Sequence, residues 1–271
     1  RRVLFRSANL TQTFASAHRL FALMDETPAV VEQGAERPEY QSMTMSDVTF
    51  GYGSSVHTSG GRTSGNASQP VLDHVSLDVP QHGILGIQGP SGRGKSTMLK
   101  LLMRYWDPDS GTISLSNIPL PQVDAGWRRR VQTMMGQETY LFDGTIRENL
   151  TIACNSADSA ASAIPDSVLR EALAKASALE LVDALPNGLD TQVGELGGRL
   201  SEGEKQRIGL ARMFLRDADL VLFDEPTSRL DAYNESVILG SVNNLAEQGS
   251  AVVLVSHRDS TMRVADRILR M

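Results

Sequence analysis

The sequence predicts an α/β fold: a mainly parallel core sheet, an antiparallel β subdomain, and an inserted helical subdomain. Three observations carry this. The run Gly83-Ile84-Leu85-Gly86-Ile87-Gln88 is strand-like, a glycine-rich loop follows it, and Met98-Leu99-Lys100-Leu101-Leu102-Met103 is helix-like. Leu220-Val221-Leu222-Phe223 is an apolar run that ends in two acids, Asp224 and Glu225. Residues 214–271 alternate between strand and helix patterns, including the run Ala251-Val252-Val253-Leu254-Val255. In open α/β sheets, ligand chemistry collects beyond the carboxyl ends of strands, where both the loop and the acids fall.

The loop reads Gly89-Pro90-Ser91-Gly92-Arg93-Gly94-Lys95-Ser96-Thr97. It fits the pattern G-x-x-x-x-G-K-[ST] of the P-loop NTPase core. Glycines let backbone N–H groups curl around a polyphosphate, and the helix N-terminus adds partial positive charge. Lys95 is expected to reach the β and γ phosphates, and Ser96 to ligate Mg²⁺. Asp224 is expected to hold the same Mg²⁺, and Glu225 to orient and polarise an attacking water. A polyphosphate and Mg²⁺ are the expected ligands.

The remaining elements follow in order. Residues 41–88 hold short strands, interrupted at 53–70 by a Gly- and Ser-rich insert that contains His57 and Arg62. Residues 138–213 are mostly helical, with a loop-like Ser/Ala/Asp stretch at 155–163. Before the strands, Leu10, Phe14, Ala17, Phe21 and Met24 form an apolar stripe on a helix over residues 8–27. Thr27-Pro28 ends that helix, because proline disfavours helical backbone in the residue before it. Residues 29–40 read as a polar linker.

Composition excludes several classes. The chain has 26 Lys and Arg against 32 Asp and Glu, a net charge of −6. That balance gives no blanket attraction to nucleic acid or anionic lipid. The one cysteine, Cys154, excludes an internal disulfide. No apolar run approaches the roughly 18 residues of a membrane span, so this piece is expected to be soluble as it stands.

With these motifs in hand, residues 41–271 resemble the nucleotide-binding domain of ABC transporters. Tyr52 sits where that family places an adenine-stacking aromatic. Gln137 matches the glutamine that senses Mg²⁺ and the membrane domain. Leu200-Ser201-Glu202-Gly203-Glu204 matches the signature motif, commonly LSGGQ. Ser228-Arg229-Leu230-Asp231 matches the D-loop, and His257 the switch histidine that contacts the γ phosphate. His257 also follows an apolar run, so a satisfied core histidine is the plain alternative.

The resemblance implies that two such domains sandwich two ATP molecules. Ser201, Glu202, Gly203 and Glu204 would then face the nucleotide held by the partner's phosphate loop. It implies Glu225, His257 and Lys95 as catalytic, residues 89–97 with Tyr52 and Gln137 as nucleotide-binding, and Ser96, Gln137 and Asp224 around the metal. Asp231 belongs to the D-loop. The partners implied are a second ABC ATPase domain and a fused transmembrane domain, placing the chain at the cytoplasmic face of the cell membrane, the inner membrane in a bacterium. The segment Thr191-Gln192-Val193-Gly194-Glu195-Leu196-Gly197 and the run from Gln137 to Leu150 have the exporter form. In that reading Tyr140, Leu141 and Phe142 form part of a docking surface, with ordinary core packing the alternative, and residues 8–40 are the end of the last membrane helix and its linker, with a plain amphipathic helix the alternative. An importer-type ATPase subunit is the alternative, and a soluble ABC ATPase acting on nucleic acid or ribosomes is a further one. The latter usually carries coiled coils, zinc modules or basic linkers, and none is evident.

The chain departs from the family at Glu202, where glycine is usual, at Glu204, where glutamine is usual, and at Arg229, where a small residue or asparagine is usual. Extra negative charge near a triphosphate weakens attraction unless the carboxylates turn away. Homodimer and heterodimer both stay open, the altered signature being a feature of some heterodimers. Residues 1–7 match a sequencing-adapter translation and are expected to be a scar, the alternative being a real basic flank. The chain is also expected to be truncated at its C-terminus.

Overall fold

The computed structural model describes residues 14, 16–21, 24, 28, 30–52, 69–154 and 164–271. The readings at residues 1–7, most of the 53–70 insert with His57 and Arg62, and the 155–163 stretch lie outside the described residues. The chain forms two compact units, residues 1–31 and 32–271. In the first, residues 16–21 are helical, and Phe14, Phe21 and Met24 are exposed. No helix among the described residues is long and apolar enough to cross a membrane.

The second unit is built on two sheets. The antiparallel sheet has the order β2-β1-β4-β5, from β1 (Met43–Phe50), β2 (Leu72–Val79), β4 (Ser110–Leu115) and β5 (Ile118–Pro119). In β1 the buried residues are Met43 and Met45, then Val48 and Phe50, so the inward face changes parity midway. Asp47, at φ 53°, falls in the register shift between Met45 and Val48. One extra residue re-aims every later side chain, which keeps both halves of the strand facing the core.

The second sheet is parallel, with the order β6-β7-β8-β3-β9. Its strands are β3 (Gly83–Gln88), β6 (Gln132–Met135), β7 (Leu220–Asp224), β8 (Ala251–Ser256) and β9 (Arg267–Arg270). Every residue of β7 and β8 is buried, as a parallel sheet covered on both faces requires. Alternation divides these strands between two cores. Leu220, Leu222, Ala251, Val253 and Val255 pack with α1 (Lys95–Leu102). Val221, Phe223, Val252 and Leu254 pack with α6 (Glu202–Arg216) and α7 (Ala232–Glu247) on the other face.

Between β5 and β6 lies α2 (Ala125–Val131). Between β6 and β7 lie α3 (Ile146–Thr151), α4 (Asp166–Lys175), α5 (Leu179–Asp183) and α6, and α8 (Asp259–Met262) follows β8. Helix α6 begins at Glu202, directly after the signature serine, and runs to Arg216.

Residues 32–40 are held to the domain rather than left as a free linker. The Glu36 amide donates to the Gln122 carbonyl at 2.9 Å, and the Asp124 amide to the Glu36 carbonyl at 2.8 Å. The Trp127 indole donates to the Pro38 carbonyl at 2.7 Å. Glu32 accepts from Arg128 at 2.6 Å and from Arg104 at 3.2 Å, and both arginines are almost fully buried. Arg104 also pairs with Asp107. The Arg128 guanidinium holds the Glu32 carboxyl below its ordinary value, against the opposing effect of burial.

Candidate functional site

The phosphate loop leaves the end of β3 and enters α1 through Gly94, whose φ is 86°. A Cβ at Gly94 would lie 2.7 Å from Leu72 Cδ2 and 2.8 Å from the Val71 carbonyl, so the turn needs glycine for space as well as for φ. Lys95 is buried, and its Nζ donates to the carbonyls of Gly89 at 2.8 Å and Pro90 at 2.9 Å. The ammonium is thus folded back into its own loop.

Ser96, Asp224 and Glu225 come together across the sheet. The Ser96 hydroxyl donates to Asp224 Oδ1 at 2.9 Å. Burial raises the Asp224 carboxyl above its ordinary value, the Ser96 bond opposes this, and the neighbouring Glu225 charge adds to it. Glu225 has φ 48°, sparsely populated for a residue with a side chain. Its amide donates to the Val255 carbonyl at 3.0 Å, which holds the strained backbone in place. Its Oε1 lies 3.2 Å from His257 Nδ1, so the predicted base and the predicted switch histidine are in direct contact. That contact answers the alternative of a core histidine, because His257 is exposed.

A cleft of about 300 Å³ is lined by Ser91, Gly92, Gly94, Lys95, Ser96, Thr97, Gln137, Asp224 and Glu225. Tyr52 stands at its edge. The Tyr52 hydroxyl lies 2.9 Å from Thr97 Oγ1, and its ring meets Phe50 and Trp106 edge-on at 5.2 and 5.3 Å. Arg93 lines a neighbouring groove with Leu72 and Asp73. Gln137 is exposed and donates through Nε2 to Ser228 Oγ at 3.3 Å.

The signature and D-loop residues do not line this cleft. Ser201 caps α6, and Ser201 and Glu204 form a reciprocal capping box: Glu204 Oε2 accepts the Ser201 amide at 2.7 Å. Glu202 pairs with Lys205 at 2.9 Å. Both unusual carboxylates are therefore engaged with their own helix. Gly203 lies against Asn234, where a Cβ would come within 3.2 Å. Asp231 caps α7 by accepting the Asn234 amide at 2.8 Å.

The two segments with the exporter pattern lie side by side: Thr145 bridges Gln192, and the Val193 amide donates to the Gly144 carbonyl at 2.9 Å. Tyr140, Phe142 and Leu196 are exposed on this part of the domain. Leu141 is not: it is 1 % exposed and belongs to the core, against Gly197. Its two neighbours, Tyr140 and Phe142, face outward.

Two ion pairs near the site were not anticipated from the sequence. Arg258 Nη1 lies 3.0 Å from Glu235 Oε2, and Ser260 and Thr261 also donate to Glu235. Arg229 Nη2 lies 2.7 Å from Glu138 Oε1. The signal that was available is the oddness of Arg229 within its motif.

A phosphate loop, a strand-end acid pair and a histidine against the second acid, on a doubly covered parallel sheet, define a nucleotide-binding domain of the phosphate-loop class. Residues 72–228 match the ABC transporter family, and the chain belongs to that family. It is 40 % identical over 265 residues to a probable ABC transporter ATP-binding/permease protein of Haemophilus influenzae, covering 97 % of this chain and 44 % of that protein. It is 34 % identical over 272 residues to an ATP-dependent lipid A-core flippase of Desulfotalea psychrophila, covering 99 % of this chain and 44 % of that protein. Among solved structures, a bacterial Atm1-family ABC exporter with ATP bound superposes with a TM-score of 0.81 at 29 % identity, over 97 % of this chain and 43 % of that one. The chain thus spans less than half the length of the relatives it matches.

Proposed function

We propose that this chain is the ATP-hydrolysing domain of an exporter-type ABC transporter, working as one half of a nucleotide-sandwiched dimer at the cytoplasmic face of a membrane. The observation that carries the reading is the contact of Glu225 with His257 beside the Ser96–Asp224 pair, all at the mouth of one phosphate loop. The exporter part rests on the likeness to a lipid A-core flippase and an Atm1-family exporter. A fused transmembrane domain accords with the length of the ATP-binding/permease relatives.

In this reading Tyr52 stacks on adenine and the amides of residues 89–97 wrap the phosphates. Lys95 swings from the Gly89 and Pro90 carbonyls to the β and γ oxygens. Ser96 and Asp224 offer the hard oxygen donors Mg²⁺ prefers, with water and phosphate completing its shell, and Gln137 lies on the same cleft. When bound, Mg²⁺ would neutralise charge on the β and γ phosphates. Glu225 accepts a hydrogen bond from the attacking water, whose oxygen bonds to the γ phosphorus in line with the breaking bond to ADP. His257 orients Glu225 and contacts the γ phosphate. Ser201 and Gly203 present the start of α6 to the partner's nucleotide, and Asp231 stands nearby in the D-loop.

The test is Mg²⁺-ATPase rate against protein concentration, with Glu225→Gln as control. A rate rising with the square of concentration and lost in the variant is expected. A rate at the variant's background, in this domain and in the full-length protein alike, would sink the reading.

A further inference from the structure

Arg229 is the D-loop residue that departs most from the family, and the structure gives it a partner. Its Nη2 lies 2.7 Å from Glu138 Oε1. The other oxygen of that carboxylate accepts the Tyr140 hydroxyl at 2.5 Å. Glu138 follows Gln137, whose own contact with the D-loop is a single neutral hydrogen bond to Ser228 at 3.3 Å. On the D-loop side, the Ser228 amide donates to the Glu225 carbonyl at 3.2 Å, and its carbonyl accepts from Arg258 at 3.0 Å. The strand-end acid and the glutamine of the cleft are therefore joined through two loops, and the charged link between those loops is Arg229–Glu138.

Both side chains are about half exposed, at 49 % and 42 %. An exposed pair adds little to global stability. A guanidinium that fixes one carboxylate oxygen while a phenol fixes the other does restrict geometry. Glu138 directly follows Gln137, which lines the phosphate cleft.

We propose that Arg229 is a positioning residue for hydrolysis: by holding Glu138 it keeps the adjoining Gln137 against the cleft. The proposal rests on the ATPase reading above.

The experiment uses the full chain with Arg229→Ala, Arg229→Lys, Arg229→Glu, Glu138→Arg and the Arg229→Glu/Glu138→Arg double reversal. Steady-state ATPase, ATP affinity and amide hydrogen exchange over residues 136–142 are read for each. Arg229→Ala is expected to lower kcat about three- to tenfold, with ATP affinity within about twofold of the parent. Arg229→Lys should keep most of the rate, and the double reversal should recover most of what each single reversal loses. Exchange should quicken over 136–142 in Arg229→Ala and slow again in the double reversal. Parental kcat with parental exchange in Arg229→Ala would overturn the proposal, as would a double reversal no better than its single parents. If parent and Glu225→Gln prove equally inactive, the ATPase reading fails. Exchange then decides alone: parental exchange in Arg229→Ala overturns the loop link, and faster exchange confined to that loop sustains it.

Discussion

His257 Nδ1 lies 3.2 Å from Glu225 Oε1, although the two residues sit at the ends of different strands. The proposed base thus has a neighbour within hydrogen-bond reach, on a backbone at φ 48°. His257→Ala is expected to lower kcat by about 10²-fold or more, with ATP affinity little changed. If the two residues act as a unit, as proposed, a Glu225→Gln/His257→Ala double variant should lose no more than the worse single. Single-turnover ATPase checks this, and additive losses would show that the pair works independently.

Gly94 combines a left-handed backbone with contact distances that leave no room for a methyl group. Gly94→Ala should cost about 1–2 kcal/mol for the backbone alone, and more once Val71 and Leu72 are displaced. Urea melts should show that loss together with weakened ATP binding. A variant as stable as the parent would mean that the loop has another conformation available.

Tyr52 touches Thr97 through its hydroxyl and Trp106 through its ring edge. Tyr52→Phe keeps the ring and should bind ATP within about twofold of the parent, while Tyr52→Ala should weaken binding by about tenfold, the range of a lost base stack. Equilibrium nucleotide titration separates the two. Equal loss in both would assign the effect to the hydroxyl instead.

Glu32 sits between two nearly fully buried guanidinium groups, while about a third of its own side chain, 34 %, is exposed. Its depressed carboxyl contributes stability above the unfolded value near 4.5, and that contribution is lost as pH falls through the lower native value. Glu32→Gln should therefore cost about 1–3 kcal/mol at pH 7, reduced from a fully buried pair by solvent screening. The gap between the variant and the parent should narrow on acidification below about pH 4.5. Denaturant midpoints at pH 7 and pH 4 test this, and a gap that widens in acid would contradict the assignment.

Where chemistry depends on contiguous residues, the sequence was readable. The loop from Gly89 to Thr97 and the acids at the end of β7 stand where their motifs and apolar runs put them. The unbroken apolar runs of β7 and β8 also stand where the sequence placed strands. Pairings between distant segments were not readable. Glu32 and Arg128 are 96 residues apart, and neither carries a local pattern that names the other. The ordering of residues 32–40 therefore looked like polar linker, because a polar composition describes a solvated strap and a free one equally well. Leu141 was misplaced for a related reason: in a run of three large apolar residues, composition cannot say which one turns inward.

Strand β8 lies between β3 and β7, and each of the three ends in a loop with a different duty. Neighbouring strands are about 4.8 Å apart, so the base of the phosphate loop and the base of the acid pair stand about 10 Å apart, separated by the strand that leads to His257. The sheet acts as a ruler whose divisions are set by backbone hydrogen bonding and not by side chains. Substitutions can change what reaches across that gap, but none of them can change its width.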